Sequence, residues 1–524
     1  MHLRAWRPFS ILCFFSSALL SASAPVFAAP QKMKAPAADS ARIALLQGKI
    51  RRAKVFVAYD ELVAILTKNG EFDSAARLER EQAALYQGKK LNDAATIHRN
   101  RAASLETQLQ VFADVPTTAE SAGKLFPGAR LEPVTGCYSG TFIDRDDSLG
   151  APFYGETFQS HRAPEQFLSA AGKNPGSLFM YLKYGQPFPR AWVARLKAAG
   201  VEAHIAWEPQ SLGAVRDDAY LRGFARAARE ADWPIFFRFA SEMNGFWTPY
   251  HGNPALYKTK FRLVHRVLHE EAPRAATIWC VNNPPLGNAF SYYPGDDGCD
   301  WVGVNLYAVP FHENRRDKPA FDENPLALLD PIYARFAAKK PIAICEFAAS
   351  HGAFGDGRDF SDFAREKLSL LYGALPLLYP RVKMVNWFDM NTIIHVTPGK
   401  ARNNFLLTPP KILQSWREAT ASSHYLTSYQ SLGDALPPVA RPLNRLKLRG
   451  PVRVRIWAKT YGAAPDLRVS LDGRPIYRAR KFGAHFFDLD LSKLAVGNHL
   501  LTAQLFDGRG RFQRASRDVF VVQG

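Results

Sequence analysis

The sequence predicts an α/β protein built around a (β/α)8 TIM barrel, with an N-terminal α-helical module and a C-terminal β-sandwich domain. Between about residues 125 and 430, short segments rich in β-branched and aromatic residues alternate with amphipathic helical segments. Before that region apolar residues recur at helical spacing, and after it they alternate as in strands. A chain of 524 residues is also longer than one hydrophobic core usually serves, so we expect several domains.

Residues 1–29 have the organisation of a secretory signal peptide. Arg4 and Arg7 precede the apolar run ILCFFSSALL, and small residues follow it up to Ala29. The run is shorter than the ~20 residues that a membrane-spanning helix needs. A linker rich in Pro, Ala and Lys is predicted over residues 30–39. We therefore expect a periplasmic or secreted protein, without a transmembrane segment in the mature chain.

Residues 40–115 are expected to form an α-helical hairpin module of two or three antiparallel helices. Apolar residues recur every three or four positions in IALLQGKIRRAKVFVAYDELVAIL. Asn69-Gly70 is a helix-stop signal, and Asp73-Ser74 is a new helix start. The pattern resembles a degenerate tetratricopeptide (TPR) unit. The expected role of this module is packing or contact with a partner.

The barrel is predicted over residues 125–430. Its eight candidate strands are TGCYSGTF, SLFMYLKY, VEAHIAW, PIFFRFA, ATIWCVNN, DWVGVNLY, KPIAICEF and VKMVNWFD. Amphipathic segments such as RAWVARLKAAG separate several of these strands, and eight such units fit the ~250 residues or more of a TIM barrel. A doubly wound sheet is the structural alternative, but no candidate strand is followed by a glycine-rich phosphate-binding turn.

Residues 441–524 are predicted to form an immunoglobulin-like β-sandwich, with turns at Asp472-Gly473 and Asp507-Gly508. This region holds 17 Lys and Arg against 6 Asp and no Glu, in a chain whose net charge is +19. The basic surface is either simply solvated or contacts an anionic glycan or the cell envelope. Nucleic acid is not an expected partner, because an exported chain without a nucleic-acid-binding motif is a poor candidate for it.

Two glutamates stand at the ends of candidate strands in unusual surroundings. Glu242 follows PIFFRFAS, the fourth strand, and Glu346 interrupts an apolar run in KPIAICEF, the seventh. In a TIM barrel the carboxyl ends of the strands carry the active site, and strands four and seven face each other across it. Facing carboxylates about 5–5.5 Å apart are the arrangement of a retaining glycosidase. The structural alternative is a pair of buried ion pairs, one of them with Arg238.

The segment from Arg238 to Trp247 reads RFASEMNGFW, which resembles the pattern R-x-x-H-E-M-N-G-x-W of glycoside hydrolase family 26. Further matching pieces follow in order: YYPGDD before DWVGVNLY, then KPIAICEF, then VNWFD. The resemblance covers roughly residues 133–423 and neither flanking region. It implies a retaining β-glycosidase in which Glu242 is the general acid/base and Glu346 the nucleophile.

The same resemblance, together with strand alternation, implies a set of supporting residues. Arg238 points the same way as Glu242 and is expected to donate to Glu346, as is Tyr307 at the end of the sixth strand. Ser241 stands where the family usually has histidine, so substrate contacts beside the cleavage point should differ from those of a typical mannanase. The remaining predicted substrate-binding residues are Asn244 and Trp247 beside the cleavage point and Trp387 as a stacking floor.

No metal site or organic cofactor is implied. The histidines considered as ligands lack metal-ligand spacing: His204, His251 and His395. The cysteines beyond the signal peptide contain no CxxC pair, which leaves a structural zinc site unsupported. One disulfide among them stays open, without an assignable pairing: Cys137, Cys280, Cys299 and Cys345.

The expected function is hydrolysis of a β-linked polysaccharide (β-mannan, β-glucan or an exopolysaccharide) by retaining double displacement, most simply within the chain. Two alternatives remain open at this point. One is a non-catalytic barrel that binds glycan in an envelope or exopolysaccharide system, with Ser241 as a mark of lost chemistry. The other is a transglycosylase that uses the same two glutamates and excludes water.

Overall fold

The computed structural model describes residues 37–157, 159–396, 402–430 and 436–524. The predicted signal peptide and most of the predicted linker lie outside the described residues. The first described elements are four consecutive helices, where two or three were expected: α1 (Ala37–Ala53), α2 (Phe56–Asn69), α3 (Phe72–Gly88) and α4 (Asn92–Leu105). Lys54, with φ of 49°, separates α1 from α2 inside the run that reads as one helix in the sequence. Gly70 ends α2 in the left-handed conformation.

Eight parallel strands then close into a barrel, as the sequence predicts. Hydrogen-bonded neighbours follow the chain order, and pairing of the last strand with the first completes the circle. The barrel strands are β2 (Cys137–Arg145), β5 (Ser177–Lys183), β6 (Glu202–Glu208), β7 (Ile235–Phe239), β8 (Ala275–Asn282), β9 (Trp301–Ala308), β10 (Ile342–Ala349) and β12 (Val382–Met390). The fourth and seventh of these, β7 and β10, are the ones that precede or carry the two glutamates.

Helices cover most of the barrel, but the fifth unit has only a short 3-10 turn between β8 and β9. The helices are α5 (Ala119–Leu125), α6 (Pro164–Ala171), α7 (Arg190–Ala199), α8 (Ala219–Ala231), α9 (Pro254–Glu271), α10 (Leu326–Phe336), α11 (Ser361–Leu378), α12 (Thr392–His395) and α13 (Pro410–Ala419). Five short strands lie in loops or at the barrel edge: β3 (Phe153–Tyr154), β4 (Ser160–His161), β11 (Gly352–Ala353), β13 (Asn403–Asn404) and β14 (Tyr425–Leu426).

The lower part of the barrel interior is filled by apolar side chains. Tyr138, Phe236, Ile278, Trp301 and their neighbours form one buried cluster inside the strands. Most polar side chains of the candidate site lie above this cluster, toward the carboxyl ends of the strands, while Glu202 at the amino end of β6 is buried beside Tyr138. The barrel interior is therefore a packed core at this end, not an open pore.

The C-terminal region forms two sheets around a common core. Their strands are β1 (Gln108–Val115), β15 (Val439–Pro442), β16 (Lys447–Leu448), β17 (Pro451–Lys459), β18 (Asp466–Leu471), β19 (Arg474–Arg480), β20 (Gly483–Asp490), β21 (Gly497–Phe506) and β22 (Phe512–Val522). One sheet has the order β15-β1-β17-β20 and the other β16-β22-β21-β18-β19.

Strand β1 corrects one expectation. Residues 108–115 were assigned to the helical module, yet they form a central strand between β15 and β17. Leu109, Val111 and Ala113 alternate into the core shared by the two sheets. Their alternation is the strand pattern, but a strand can be recognised as part of a sheet only when its partners, here more than 300 residues later, are known.

All four cysteines in the described part of the chain are buried free thiols, so the disulfide left open by the sequence does not form among them. None of the described helices combines the length and the apolarity needed to cross a bilayer.

Candidate active site

The turn after β7 aims Glu242 at the barrel mouth. The strand ends at Phe239, and the chain then passes through two non-glycine residues with positive φ, Ala240 (46°) and Glu242 (58°). Such conformations are uncommon outside glycine and concentrate at functional sites. The Glu242 N–H donates to the carbonyl of Cys280 in β8 at 3.0 Å, which holds the turn against the neighbouring strand.

The Glu242 carboxylate is held only by neutral donors. Asn305 Nδ2 donates to Oε1 and Trp247 Nε1 donates to Oε2, both at 2.7 Å. Burial, and then the negative charge of Glu346, raise the pKa of Glu242 to about 7, although the two hydrogen bonds oppose the shift. The group is therefore partly protonated at neutral pH, as a general acid requires.

Glu346 faces the barrel interior because β10 carries a register shift. Ala343 and Cys345 already point into the interior cluster, so regular alternation would turn Glu346 outward. Pairing with β9 shifts between Ile344 and Glu346, and Asn305 becomes the neighbour of Glu346. A bulge of this kind re-aims one side chain beside an active site.

Three donors surround the Glu346 carboxylate. Arg238 Nη1 lies 2.5 Å from Oε1, the Tyr181 hydroxyl donates to the same oxygen at 2.6 Å, and Tyr307 donates to Oε2. Burial and then Glu346 raise the pKa of both tyrosines well above the ordinary value, which keeps their hydroxyls protonated. An adjacent arginine favours the charged form of a carboxylate. Glu346 thus has the surroundings of an ionised nucleophile.

Arg238 and Asn305 connect the two glutamates. Arg238 is fully buried and its Nη1 also donates to Asn305 Oδ1 at 3.0 Å. The amide nitrogen of Asn305 in turn donates to Glu242. The predicted direction of Arg238 and its contact with Glu346 are both present in the structure.

Ser241 contacts a third carboxylate. Its hydroxyl donates to Glu208 Oε1 at 2.6 Å, and Tyr250 donates to the other oxygen of Glu208. Burial raises the pKa of Glu208 above its ordinary value, against the hydrogen bonds from these two hydroxyls. Ser241 is itself buried, and its hydroxyl is directed at Glu208.

Asn244 was predicted to contact substrate, and the structure corrects this. The side chain is buried, and its amide nitrogen donates to the carbonyls of Asn282, at 2.8 Å, and Pro285. Its amide oxygen accepts from the Asn282 N–H at 3.0 Å. These backbone contacts use its polar atoms to join the turn after β7 to the loop after β8.

Trp387 was predicted as a stacking floor, and this is also wrong. Its ring is completely buried outside the barrel, where Nε1 donates to the Phe405 carbonyl at 2.7 Å. The next residue, Phe388, faces the mouth instead, stacked on Phe142 at 5.5 Å and edge-on to Tyr307 at 5.7 Å. A shift of one residue along a strand places a side chain on the opposite face of the sheet.

The rim of the mouth is aromatic. Trp247 is 46% exposed while its indole nitrogen holds Glu242, and the adjacent Phe246 is 81% exposed. Exposed aromatic rings beside buried carboxylates suit the apolar face of a sugar.

Sequence reasoning missed Tyr181 and Asn305, and it assigned no role to Glu208. A signal was present for the first two. Tyr181 lies two residues after Phe179 in β5, and Asn305 lies two residues before Tyr307 in β9, so the members of each pair share a face of their strand. Strand alternation shows which side chains share a face, but the contact of Tyr181 with a glutamate five strands further round depends on barrel closure.

Comparisons with known proteins agree with the resemblance predicted from the sequence. Residues 219–330 match the model of Glycosyl hydrolase family 26, a segment that includes Arg238, Glu242 and Tyr307 but ends before Glu346. Beta-1,3-xylanase TXYA of a Vibrio species is 30% identical over 108 residues, which is 19% of this chain and 23% of the relative. A Beta-1,3-xylanase of an Alcaligenes species is 34% identical over 86 residues, covering 15% and 18%. This chain thus spans less than a quarter of the length of either relative.

Among solved structures, a Cellulomonas fimi endo-beta-1,4-mannanase double mutant aligns with a TM-score of 0.38 and 15% identity. The alignment covers 78% of this chain and 99% of the mannanase. An endo-beta-1,4-mannanase from Thermotoga petrophila aligns with a TM-score of 0.34 and 11% identity over 74% and 98% of the two chains.

Proposed function

We propose that this protein, whose residues 219–330 match the family 26 model, is a glycoside hydrolase that cleaves a β-linked polysaccharide with retention of configuration. The observation that carries the proposal is that two glutamates at one barrel mouth have different hydrogen-bond partners and different neighbouring charges. One has neutral hydrogen-bond donors and a pKa raised to about 7, while the other is bound by a buried arginine and two tyrosines. Such divergent environments support the roles of acid for Glu242 and nucleophile for Glu346.

In the proposed mechanism Glu346 attacks the anomeric carbon and forms a glycosyl ester, while protonated Glu242 gives its proton to the departing sugar oxygen. Glu242, now ionised, then takes a proton from water, and the resulting hydroxide equivalent attacks the same carbon and releases Glu346. Tyr181 and Tyr307 keep Glu346 oriented between the two steps. Trp247 orients Glu242 and offers its exposed ring to the sugar.

The substrate class remains β-mannan, β-glucan or an exopolysaccharide, and the names of the two relatives add β-1,3-xylan. Glu208, held by Ser241 and Tyr250, is a hydrogen-bond acceptor suited to a sugar hydroxyl beside the cleavage point. The exposed rings of Phe246 and Trp247 beside the site favour action within a chain over trimming of its ends.

Export is part of the same proposal, because a polysaccharide substrate lies outside the cytoplasm and residues 1–29 have signal-peptide organisation. The C-terminal sheets would add contact with an anionic glycan or envelope. In β19 the exposed side chains include Arg474, Arg478 and Arg480, which form a basic edge strand.

The test is reducing-sugar release by the mature protein on mannan, β-1,3-xylan, mixed-linkage glucan, cellulose and acidic exopolysaccharides. Glu242→Gln and Glu346→Gln are compared with Glu165→Gln, an exposed glutamate on α6 that serves as the matched control. Release that both site variants lose and the control keeps, with unchanged circular dichroism, supports the proposal. Proton NMR of the first product then reports retention or inversion, and the product ladder separates internal from terminal cleavage.

The glycan-binding alternative predicts a different result from the same proteins. Wild type and both site variants would bind one glycan with equal affinity and release no sugar from any substrate. A transglycosylase would instead yield products longer than the starting oligosaccharide, and would still lose activity in both variants.

A further inference from the structure

A second cluster of chemically active side chains lies on the outer wall of the barrel. His265 and His269 stand one turn apart on α9, with ring centroids 4.0 Å apart. Asp300 immediately precedes β9, and His269 Nε2 lies 3.0 Å from each of its carboxylate oxygens. Each of the three residues offers one ligand atom, and these atoms all lie within 4.8 Å of one another.

The cluster is separate from the candidate active site. Asp300 stands at the amino end of β9, whereas the glutamates occupy the carboxyl ends of their strands. It therefore sits at the opposite end of the barrel, between a covering helix and the sheet.

We propose that His265, His269 and Asp300 form a zinc-binding site that ties α9 to the start of β9. Two imidazoles at i and i+4 on one helix, with a carboxylate from another element, form a recurrent three-ligand zinc arrangement, in which solvent completes the tetrahedron. The histidines border an open groove of about 830 Å³ that leaves room for that fourth ligand. Calcium and magnesium prefer oxygen ligands, and only Asp300 supplies them.

The surrounding groups hold the ligands in place. The Thr277 hydroxyl lies 2.7 Å from His265 Nδ1 and donates to Asp300 Oδ2 at 3.0 Å, while the Thr277 N–H donates to the same oxygen at 2.8 Å. Hydrogen bonds of this kind orient metal ligands and limit their motion. From the sequence we predicted no metal site, on the basis of other histidines and the cysteines. Asp300 lies 31 residues beyond His269, and no short motif unites the three ligands.

Nearby cations are mostly paired elsewhere. Arg262 binds Asp297 through two hydrogen bonds, and Arg266 binds Asp217 and Glu270. Lys340 donates to the carbonyls of Asp296 and Cys299, and Lys260 to that of Val215. Arg130 also lines the groove, and its Nη1 donates to the Ala275 carbonyl at 3.5 Å.

The test is Zn²⁺ binding by the full chain after removal of metal with a chelator. A chromophoric competitor gives stoichiometry and affinity, and melting curves with Zn²⁺, Mg²⁺ or Ca²⁺ give selectivity. The critical variant is His269→Gln, whose amide can still donate to Asp300 and so preserves the hydrogen bond. The matched control is His312→Gln, because His312 pairs with Glu323 at 2.7 Å without a second histidine in the described structure.

We expect one Zn²⁺ per chain, a rise in Tm with Zn²⁺ only, and a loss of affinity of about 10–100-fold or more in His269→Gln and His265→Gln. His312→Gln should bind as wild type does. Absence of stoichiometric binding by wild type, or equal binding by all four proteins, would overturn the proposal and leave a hydrogen-bonded cluster. Neither result depends on glycosidase activity.

Discussion

The barrel mouth and the C-terminal sheets each bury a carboxylate, and their surroundings shift its pKa in opposite directions. Asp466 begins β18 and is only 2% exposed. Burial opposes its charge, yet hydrogen bonds from Arg478 and Arg468 hold the pKa of Asp466 below its ordinary value. Glu242 meets an indole and an amide instead, and its pKa rises to about 7.

The difference shows that burial alone does not decide what an acid does in a protein. Where arginines surround the carboxylate, it remains charged and contributes to structure. Where only neutral donors reach it and another carboxylate lies near, the proton is retained and becomes available for transfer. Glu346 combines features of both regions, since it is paired with Arg238 but also lies at the barrel mouth with Glu242.

The largest expected effect separates the two glutamates at the mouth. Glu346→Gln should remove activity on every substrate, because no covalent intermediate can form. Glu242→Gln should cost about 10²–10⁴-fold on polysaccharide but far less on an aryl glycoside whose leaving group needs no proton. Initial rates on both substrate types provide the measurement. Equal losses in the two variants on the aryl glycoside would contradict the assigned roles.

Removal of one arginine should affect the two regions unequally. Arg238→Met removes the only cation that contacts Glu346 in the described structure. Because the buried carboxylate is then unpaired, the free energy of unfolding should fall by about 3–5 kcal/mol. Arg468→Met should cost less, because Arg478 still contacts Asp466. Urea unfolding of both variants at pH 7 measures the difference. A smaller loss for Arg238→Met than for Arg468→Met would contradict it.

The two acids should influence stability in opposite pH ranges. Because the pKa of Glu242 is raised from 4.5 to about 7, its burial favours folding below about pH 4.5 and becomes a penalty as pH rises through 7. Glu242→Gln should therefore have a higher free energy of unfolding than wild type at pH 8.5, by roughly 3 kcal/mol.

The pKa of Asp466 is lowered, so its contribution is present above its ordinary value of 3.8 and is lost as pH falls through the folded value. Asp466→Asn should thus be less stable than wild type at pH 7, and the two should converge in acid. Melting curves from pH 3 to 9 test both variants, and parallel curves for either variant and wild type would refute the corresponding assignment.

The smallest effect concerns Trp247. Trp247→Phe keeps an aromatic ring but removes the hydrogen bond that lowers the pKa of Glu242. The alkaline limb of the kcat/KM profile should move to higher pH, by up to about one unit. Phe246→Leu is the control, since it alters the rim without touching Glu242, and should leave the limb in place while raising KM. An unmoved limb in Trp247→Phe would show that another group sets it.

Much of the fold followed from local pattern. All eight barrel strands lie where apolar, β-branched segments predicted them, and Glu242 and Glu346 stand at the fourth and seventh strands as expected. The predicted contact of Arg238 with Glu346 is also present, because alternation along β7 puts Arg238 on the same face as Phe236, toward the barrel interior. Errors arose at irregular points, as with Trp387, where the predicted side of β12 was off by one residue, and with Asn244, in a turn whose partners are backbone groups.

The sequence by itself determined the order and type of the eight barrel strands, since strand periodicity is a property of neighbouring residues. It also placed both glutamates at one end of the barrel, because parallel strands bring their carboxyl ends together. Only the tertiary structure decided which groups meet there. The contacts of Tyr181 with Glu346, Ser241 with Glu208 and β1 with β17 depend on closure, register and packing between distant segments, where one residue of shift exchanges the inside of a sheet for its outside.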